Sequence, residues 1–517
     1  MAKDGADVDL KMAMDLERTL SITNGQLEKI VDDVDAAKHD KALALLNDHN
    51  VVFDPNSSEA KRVLRKVDHR IMPLIIAIYT LMLVDKNSLS FANIMNIKEE
   101  THLTDSQYSW LGSIVYFGYL AAEIPVTFLM QRVPLAKFFA IMVTLWGMVE
   151  MCHAACNDFG SLLAVRFLLG MIEVSAAPVI IYVLGAWYTK AEQVSRVAIW
   201  YTSSGLGNVV GGFFAWIIWH TKTFRWQALF LYEGGLTVCL GVVLWFVLAA
   251  SPTDAAWLSE EEKVIALERV RGNKTGTEVW RFNKSQLIEC FRDIRFYLVF
   301  LILVSIGLPN GGITVFGPSI ISAFGFDVEQ TTLLTMAPGG AAVLGTFLAL
   351  GVAKRTNRTV AALFTLLLSC IGVTMMLTID SAHYVARYGG YILTMQFPIC
   401  ILFLIAYMTA GVGGSTKKLA FGASYQLGYT VGNIVGPQTY RESDAPNYPI
   451  AKYTMLAFLI FSMFLFAFYG LLHKLWNMRR DKQDVLDAQN GIVRENIRNE
   501  EFADLTDFHQ KSLRYPE

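Results

Sequence analysis

Apolar runs of about 20 to 25 residues recur along most of this chain, the length at which a helix crosses the hydrocarbon core of a bilayer. Composition agrees. Of 517 residues, 53% are hydrophobic, 12% aromatic and only 17% charged, too apolar for an ordinary soluble enzyme. Twelve runs fall at 71–92, 108–130, 137–155, 162–187, 197–219, 228–250, 296–321, 331–352, 360–379, 388–410, 420–440 and 453–474. The expectation is an all-α membrane protein of twelve transmembrane helices in two six-helix bundles. A net charge of −2 argues against nucleic acid as a partner.

The polar segments fix the organisation. Residues 1–68 read as a cytosolic tail, with no h-region of a cleavable signal peptide, and Asp32 to Leu46 as a stretch able to form a surface helix. Residues 69–250 form the first six-helix bundle, 251–294 a cytosolic central loop, 295–475 the second bundle and 476–517 a cytosolic tail. Within the loop, SPTDAAWLSEEEKVIALERV reads as a capped amphipathic helix. Two blocks of six spans suggest parallel repeats with the binding site between them. Lys61, Arg62, Arg65, Lys66 and Arg70 crowd the first span, and Arg132, Lys137, Lys190, Arg196, Lys354, Arg355, Lys417 and Lys418 fall on the same side. The positive-inside rule puts that side, and both termini, in the cytoplasm, although Lys222, Arg225 and Arg441 lie opposite. The sequons at Asn56, Asn273, Asn283 and Asn357 land inside and should stay unglycosylated.

Charges inside the spans are the most informative feature, because ionisable residues in lipid are costly and mark substrate or proton pathways. The first span holds Asp85 and Lys86, the second Glu123, the third Glu150, the fourth Arg166 and Glu173, and the sixth Glu233. The second block has almost none; its polar groups are neutral, among them Asn310, Gln396, Gln426, Asn433 and Gln438. Charge recognition and proton handling therefore fall to the first half, and the second half shapes the cavity wall. Arg166 and Glu173 are two turns apart on one helix, about 10 Å along its axis. They form either a substrate or proton site or a structural ion pair locking two helices, and the two are compatible.

Depth along the helices places Lys86 and Arg166 at a common height, where two cations attract an anion. Arg166 can grip a carboxylate with two parallel hydrogen bonds. Glu173, near the midplane, is the expected proton carrier: neutralising its cation on substrate binding favours protonation. Asp85 is assigned to proton coupling with it; the bland alternative is an Asp85–Lys86 couple paired locally. Glu123, just before Pro125, is expected to brace a loop. Glu150, Glu233 and His153 lie toward outer ends, where exposure to an aqueous vestibule is the simpler account.

Small residues in the fifth span (Gly205, Gly207, Gly211, Gly212) and eleventh (Gly422, Gly428, Gly432, Gly436) allow close helix approach. Pro309-Asn310-Gly311-Gly312 should break or kink the seventh helix. Six cysteines show no CxxC spacing and read as small buried residues, with metal at Cys152 and Cys156 the minor alternative. No Ser/His/Asp, HExxH or paired-Asp motif lies in the spans, so no enzyme and no cofactor is expected.

The chain resembles the fungal allantoate permease family, in the anion:cation symporter branch of the major facilitator superfamily. The resemblance covers nearly everything from about residue 65 onward. It rests on Arg166, Gly170, Glu173 and Pro178, followed by Trp187, Tyr188, Glu192 and Arg196. Further matches are Asp85 to Ala92, Phe224-Arg225-Trp226 with Glu233-Gly234, Gly432 to Gln438, and the tail Phe502 to Asp507. It implies alternating access and import of organic anions, usually with protons, through residues matching Lys86, Arg166 and Glu173. Many members carry Arg where Lys86 stands, which leaves a point charge in place of bidentate recognition. The usual loop between the second and third helices is reduced to Met130-Gln131-Arg132-Val133-Pro134. Lys86 resembles the allantoate permease subgroup itself, which leans toward ureido or amido carboxylates; other members carry nicotinate, pantothenate, biotin, cysteine or small peptides. The expected protein is a monomeric plasma-membrane importer of a small organic anion, with Arg166, Lys86, Asn310, Asn433 and Gln426 binding substrate, and Glu173 and Asp85 coupling protons. The alternative class is a non-transporting nutrient sensor with a transporter fold.

Overall fold

The computed structural model describes residues 57–130, 133–221, 225–271, 283–489, 506–509 and 513–516. The segment Asp32 to Leu46 and the sequons at Asn56 and Asn273 lie outside the described residues. Among the described residues every regular element is helical. The first six spans are α1 (Ser58–Ile94), α2 (Asp105–Met130), α3 (Leu135–Cys152), α4 (Phe159–Glu173) continued by α5 (Ala176–Trp187), α6 (Lys190–Trp219) and α7 (Arg225–Val247). Two shorter helices follow, α8 (Glu260–Arg271) and α9 (Lys284–Arg292). The second set is α10 (Ile294–Ser322), α11 (Val328–Leu334) continued by α12 (Met336–Arg355), α13 (Arg358–Thr378), α14 (Tyr384–Thr394) continued by α15 (Cys400–Gly411), α16 (Ser415–Val435) and α17 (Pro449–Gln489). Ten of these spans are long and apolar enough to cross a membrane. The more polar α6 and α16 complete twelve, each on a run expected from the sequence.

The contacts divide the chain into two units. The smaller joins the start of α1, the end of α5 and the segment carrying α8. The expected cap is present: Ser259 N–H donates to Glu262 Oε2 at 3.1 Å, and Glu262 N–H donates to Ser259 Oγ at 3.2 Å. Ion pairs hold this polar helix, Lys66 to Glu262 at 2.6 Å and Arg269 to Glu192 at 2.7 Å. Trp187 is buried here, stacked on Trp257 at 5.3 Å and donating to Ala249 O.

The larger unit holds the rest of the spans, and glycines set how closely they cross. A Cβ at Gly147 on α3 would lie 2.6 Å from Gly234 O on α7, and one at Gly234 would lie 2.6 Å from Gly147 O. Gly118 on α2 and Gly170 on α4 each abut the other helix's backbone in the same way. On α10 a Cβ at Gly307 or Gly311 would meet Tyr429 O at 2.7 Å or Asn433 O at 2.6 Å, both on α16. Only glycine allows backbones this near, and the approach recovers dispersion contact that lipid alone would not favour.

Of the break or kink expected at Pro309, the break does not occur. Helix α10 runs unbroken from Ile294 to Ser322 with Pro309 and Pro318 inside it. The small residues that suggested a break serve the crossing with α16, and neighbouring helices compensate for a helical proline in a membrane span.

Candidate functional site

The glycine crossings aim the charged side chains. Tyr119 follows Gly118 on α2, and Glu173 lies one turn beyond Gly170 on α4, so the α2–α4 crossing brings the tyrosine to the carboxyl. Lys86 on α1 completes the group. Its Nζ lies 3.6 Å from Glu173 Oε1 and 5.4 Å from the Tyr119 ring centroid, a cation held by a carboxylate and a π face. Glu173 is buried and its Oε1 accepts no hydrogen bond among the described residues. The pair is thus a contact of charges at slightly more than hydrogen-bond distance, and Tyr119 hydrogen-bonds the same carboxyl.

Asp85 turns away from its neighbour Lys86, so the locally paired couple does not form. Its Oδ2 accepts from Trp146 Nε1 at 2.5 Å, from the α3 side. Arg166, buried on α4, lies over the Phe230 ring at 5.9 Å, and its Nε and Nη2 lack partners among the described residues. Lys86 and Arg166 therefore face different groups, Glu173 for the first and the Phe230 ring with the Glu150 and Glu233 carboxyls for the second, while both act electrostatically on Glu173.

The aqueous vestibule at Glu150, Glu233 and His153 is not found; these side chains are 1%, 2% and 0% exposed. The reason is the Gly147–Gly234 crossing, which turns residues one turn away or adjacent into the α3–α7 interface. Ser88 donates to Glu233 Oε2, and His153 stacks on Phe230 with 4.7 Å between ring centroids. Glu123 is half-buried on α2, and its carboxyl braces nothing among the described residues; only its backbone carbonyl accepts, from Thr127 Oγ1. Cys152 and Cys156 are free thiols, and no metal-ready group of side chains occurs among the described residues.

On the second half the structure joins two of the three amides. Asn310 Nδ2 donates to Asn433 Oδ1 and to Tyr429 Oη, both at 2.8 Å. Asn433 Oδ1 also accepts from Tyr116 Oη of α2 at 3.0 Å, while its Nδ2 donates to Tyr429 O at 2.7 Å. Asn433 is thereby a fully engaged joint between α2, α10 and α16. Gln426, one turn before Tyr429 on α16, is half-buried and makes no hydrogen bond among the described residues. Ser113 extends the seam, donating to Ile434 O at 2.7 Å and accepting from Gln438 Nε2 at 3.1 Å. The tyrosines Tyr116, Tyr119 and Tyr429 escaped the reading of the sequence, which weighed charges and amides; their place within two residues of a crossing glycine, Gly118 or Gly428, was the available signal.

Residues 75–437 match the model of the Major Facilitator Superfamily. An uncharacterised transporter of Schizosaccharomyces pombe is 34% identical over 90% of both chains. A thiamine pathway transporter of Saccharomyces cerevisiae is 33% identical over 88% of this chain and 86% of its own. The allantoate permease of the same yeast is 29% identical over 96% of this chain and 93% of its own. Among solved structures, a bacterial homologue of the human lysosomal transporter Spinster superposes with a TM-score of 0.60 at 15% identity, covering 80% of this chain and 97% of that one. With its helices, its buried charges and its relatives all in accord, this chain belongs to the major facilitator superfamily.

Proposed function

We propose that the protein imports a small organic anion together with a proton, by alternating access, and that it belongs to the allantoate permease branch. The observation that carries this reading is the pair of half-buried Lys86 and buried Glu173, 3.6 Å apart, with Glu173 Oε1 unbonded among the described residues. At rest the pair is neutral. A carboxylate that takes Lys86 leaves Glu173 as an uncompensated buried charge, which is prohibitively costly unless it takes a proton. Lysine, anion and protonated Glu173 are again neutral, so anion and proton enter the buried site together. Arg166 supplies the second cation, bidentate toward a carboxylate, and Asn310, Gln426 and Tyr429 line the opposite half. A ureido carboxylate such as allantoate suits a site offering cations beside amide and phenol donors.

In this reading residues 69–250 and 295–475 are the two moving bundles, both termini are cytoplasmic, and a monomer in the plasma membrane is the working unit. Nothing in the site or among the relatives favours a sensor.

The test is uptake of labelled allantoate by cells expressing the protein, with nicotinate, pantothenate, cysteine and thiamine as competitors. It is run at about pH 5 and about pH 7, spanning the titration of a buried carboxyl, with and without a protonophore. Uptake of one acid that rises at the lower pH and collapses with the protonophore supports the proposal. Transport indifferent to both removes proton coupling, and transport of thiamine alone removes the anion.

A further inference from the structure

The exchange at Lys86 and Glu173 leaves a second buried cluster of the first half unused. Glu150 on α3 is its centre. The charged and titratable groups facing it are Asp85 from α1, Arg166 from α4 and Glu233 from α7, with His153 on the turn after its own helix. All five are buried. The imidazole adds no charge: His153 Nδ1 lies 3.0 Å from Glu150 O, a carbonyl that can only accept, so Nδ1 carries the hydrogen. The other nitrogen, Nε2, has no partner among the described residues. A neutral imidazole fits this geometry, whereas a charged one would bury an Nε2–H without an acceptor among the described residues, with Glu150 Oε2 at 3.7 Å from Nδ1 as its counter-charge.

Three carboxyl groups then share one guanidinium. Asp85 has one oxygen bonded to Trp146, and Glu233 has one bonded to Ser88. Glu150 has neither oxygen bonded, and Asp85 Oδ1 is equally bare. The Glu150 and Asp85 side chains are within hydrogen-bonding reach of each other, and with Glu150 undonated and Asp85 Oδ1 bare, two such buried carboxyls tolerate each other only if a proton lies between them, because two carboxylates there repel and neither is solvated.

We propose that Glu150 holds a proton and shares it with Asp85, forming a second proton-binding site separate from Glu173. Protonated, Glu150 becomes a donor, and Asp85 Oδ1 is the acceptor that fits it. The pair titrates as a unit, as coupled carboxyls do. Asp85 acts electrostatically on Glu173 as well as on Glu150, so loss of the shared proton adds negative charge beside Glu173 and favours protonation there. The dyad is thus placed to hand its proton to Glu173 when an anion takes Lys86. That relay rests on the proton-coupled import proposed above; the protonation of Glu150 does not.

Infrared difference spectroscopy on the purified full-length protein, exchanged between H2O and D2O at neutral pH, reads the proton directly. A protonated-carboxyl carbonyl band that shifts on exchange is expected in the wild type and in Glu173→Gln, and lost in Glu150→Gln. Glu150→Gln resembles the protonated side chain, so it should fold with unchanged thermal stability. Should Glu150 instead be the ionised partner of Arg166, Glu150→Gln would strand a buried cation and lower the unfolding temperature. A band that survives in Glu150→Gln, or a lowered unfolding temperature, overturns the dyad. Asp85→Asn supplies an independent check: it should move the band, since the shared proton then belongs to Glu150 alone, and an unmoved band contradicts sharing. Failure of every acid in the uptake assay would remove the import reading and leave these outcomes as they stand.

Discussion

Two clusters of charge among the described residues are built in opposite ways. In the second half, Asp293, Arg295, Lys417, Glu289 and Asp507 meet where the carboxyl-terminal tail returns to the helices. Arg295 donates to Asp293 and Asp507 at 2.5 Å and to Gly411 O at 2.8 Å, and Lys417 contacts Glu289, Asp293 and Asp507 at 2.9 Å each. The rings of Trp476, Tyr515 and Phe508 close around the guanidinium at 4.9 to 5.4 Å. No buried polar atom of these five residues lacks a partner. In the first half, Asp85, Glu150, Glu233 and Arg166 are just as buried, yet each has at least one polar atom unbonded. A saturated network fixes structure. An unsaturated one in a membrane span keeps capacity in reserve for something that arrives, which the proposed function takes to be an anion and protons.

Breaking the unsaturated side should weaken transport without unfolding the protein. Lys86→Ala and Arg166→Ala each remove a cation from the anion's path. Loss of a buried charged contact worth 2 to 5 kcal/mol lowers apparent affinity by roughly 30-fold or more. Labelled uptake against external concentration measures it. An unchanged affinity in either variant would place the anion elsewhere.

Breaking the saturated side should do the reverse. Asp507→Ala leaves Arg295 with Asp293 alone and Lys417 with Glu289 and Asp293, and should destabilise the second half by about 1.5 to 3 kcal/mol, the worth of hydrogen bonds to charged groups. The unfolding temperature of the purified protein reports it, while transport per folded molecule stays near wild type. A tail substitution that stops transport without lowering stability would make this cluster functional and erase the contrast.

Smaller effects test the crossings that position both clusters. Gly311→Ala and Gly147→Ala push a methyl into facing backbone and should cost about 1 to 3 kcal/mol each. Gly147→Ala should also weaken uptake, because α3 and α7 carry Glu150 and Glu233.

The mildest probe is pH. Burial pushes the Asp507 carboxyl up, but Arg295 and Lys417, with their hydrogen bonds, outweigh it and hold it below the usual carboxylate range. A depressed carboxyl contributes stability that is complete above its unfolded value, about 4, and is lost as pH falls through the lower folded value. Protease cleavage of the tail should therefore be unchanged from neutral pH down to about 4 and rise only below it. Cleavage that rises well above that range would contradict the pairing.

The fold was legible because hydrophobic length is a local property. Each of the twelve runs coincides with a helix, or with two in succession. The charges Asp85, Lys86, Arg166 and Glu173 were equally legible, since an ionised group in an apolar run stands out by itself. Their partners were not. Depth along a helix places Glu150 and Glu233 near an end, but exposure depends on what packs against that end, and the Gly147–Gly234 crossing decides it. Likewise Pro309 and its glycines read as a break from local preference, whereas packing against α16 keeps α10 continuous. The docking of Asp507 depends on contacts across more than two hundred positions, to Arg295, and no periodicity announces it.

The account turns on Glu173 as the group that trades its cation for a proton. Purified wild type and Glu173→Gln, reconstituted in liposomes, should be compared for exchange of labelled anion across equal concentrations and for accumulation driven by a proton gradient. Exchange needs no net proton movement, so the account predicts that Glu173→Gln retains exchange and loses accumulation. Equal loss of both in a folded, correctly inserted protein, or accumulation that persists, would contradict it.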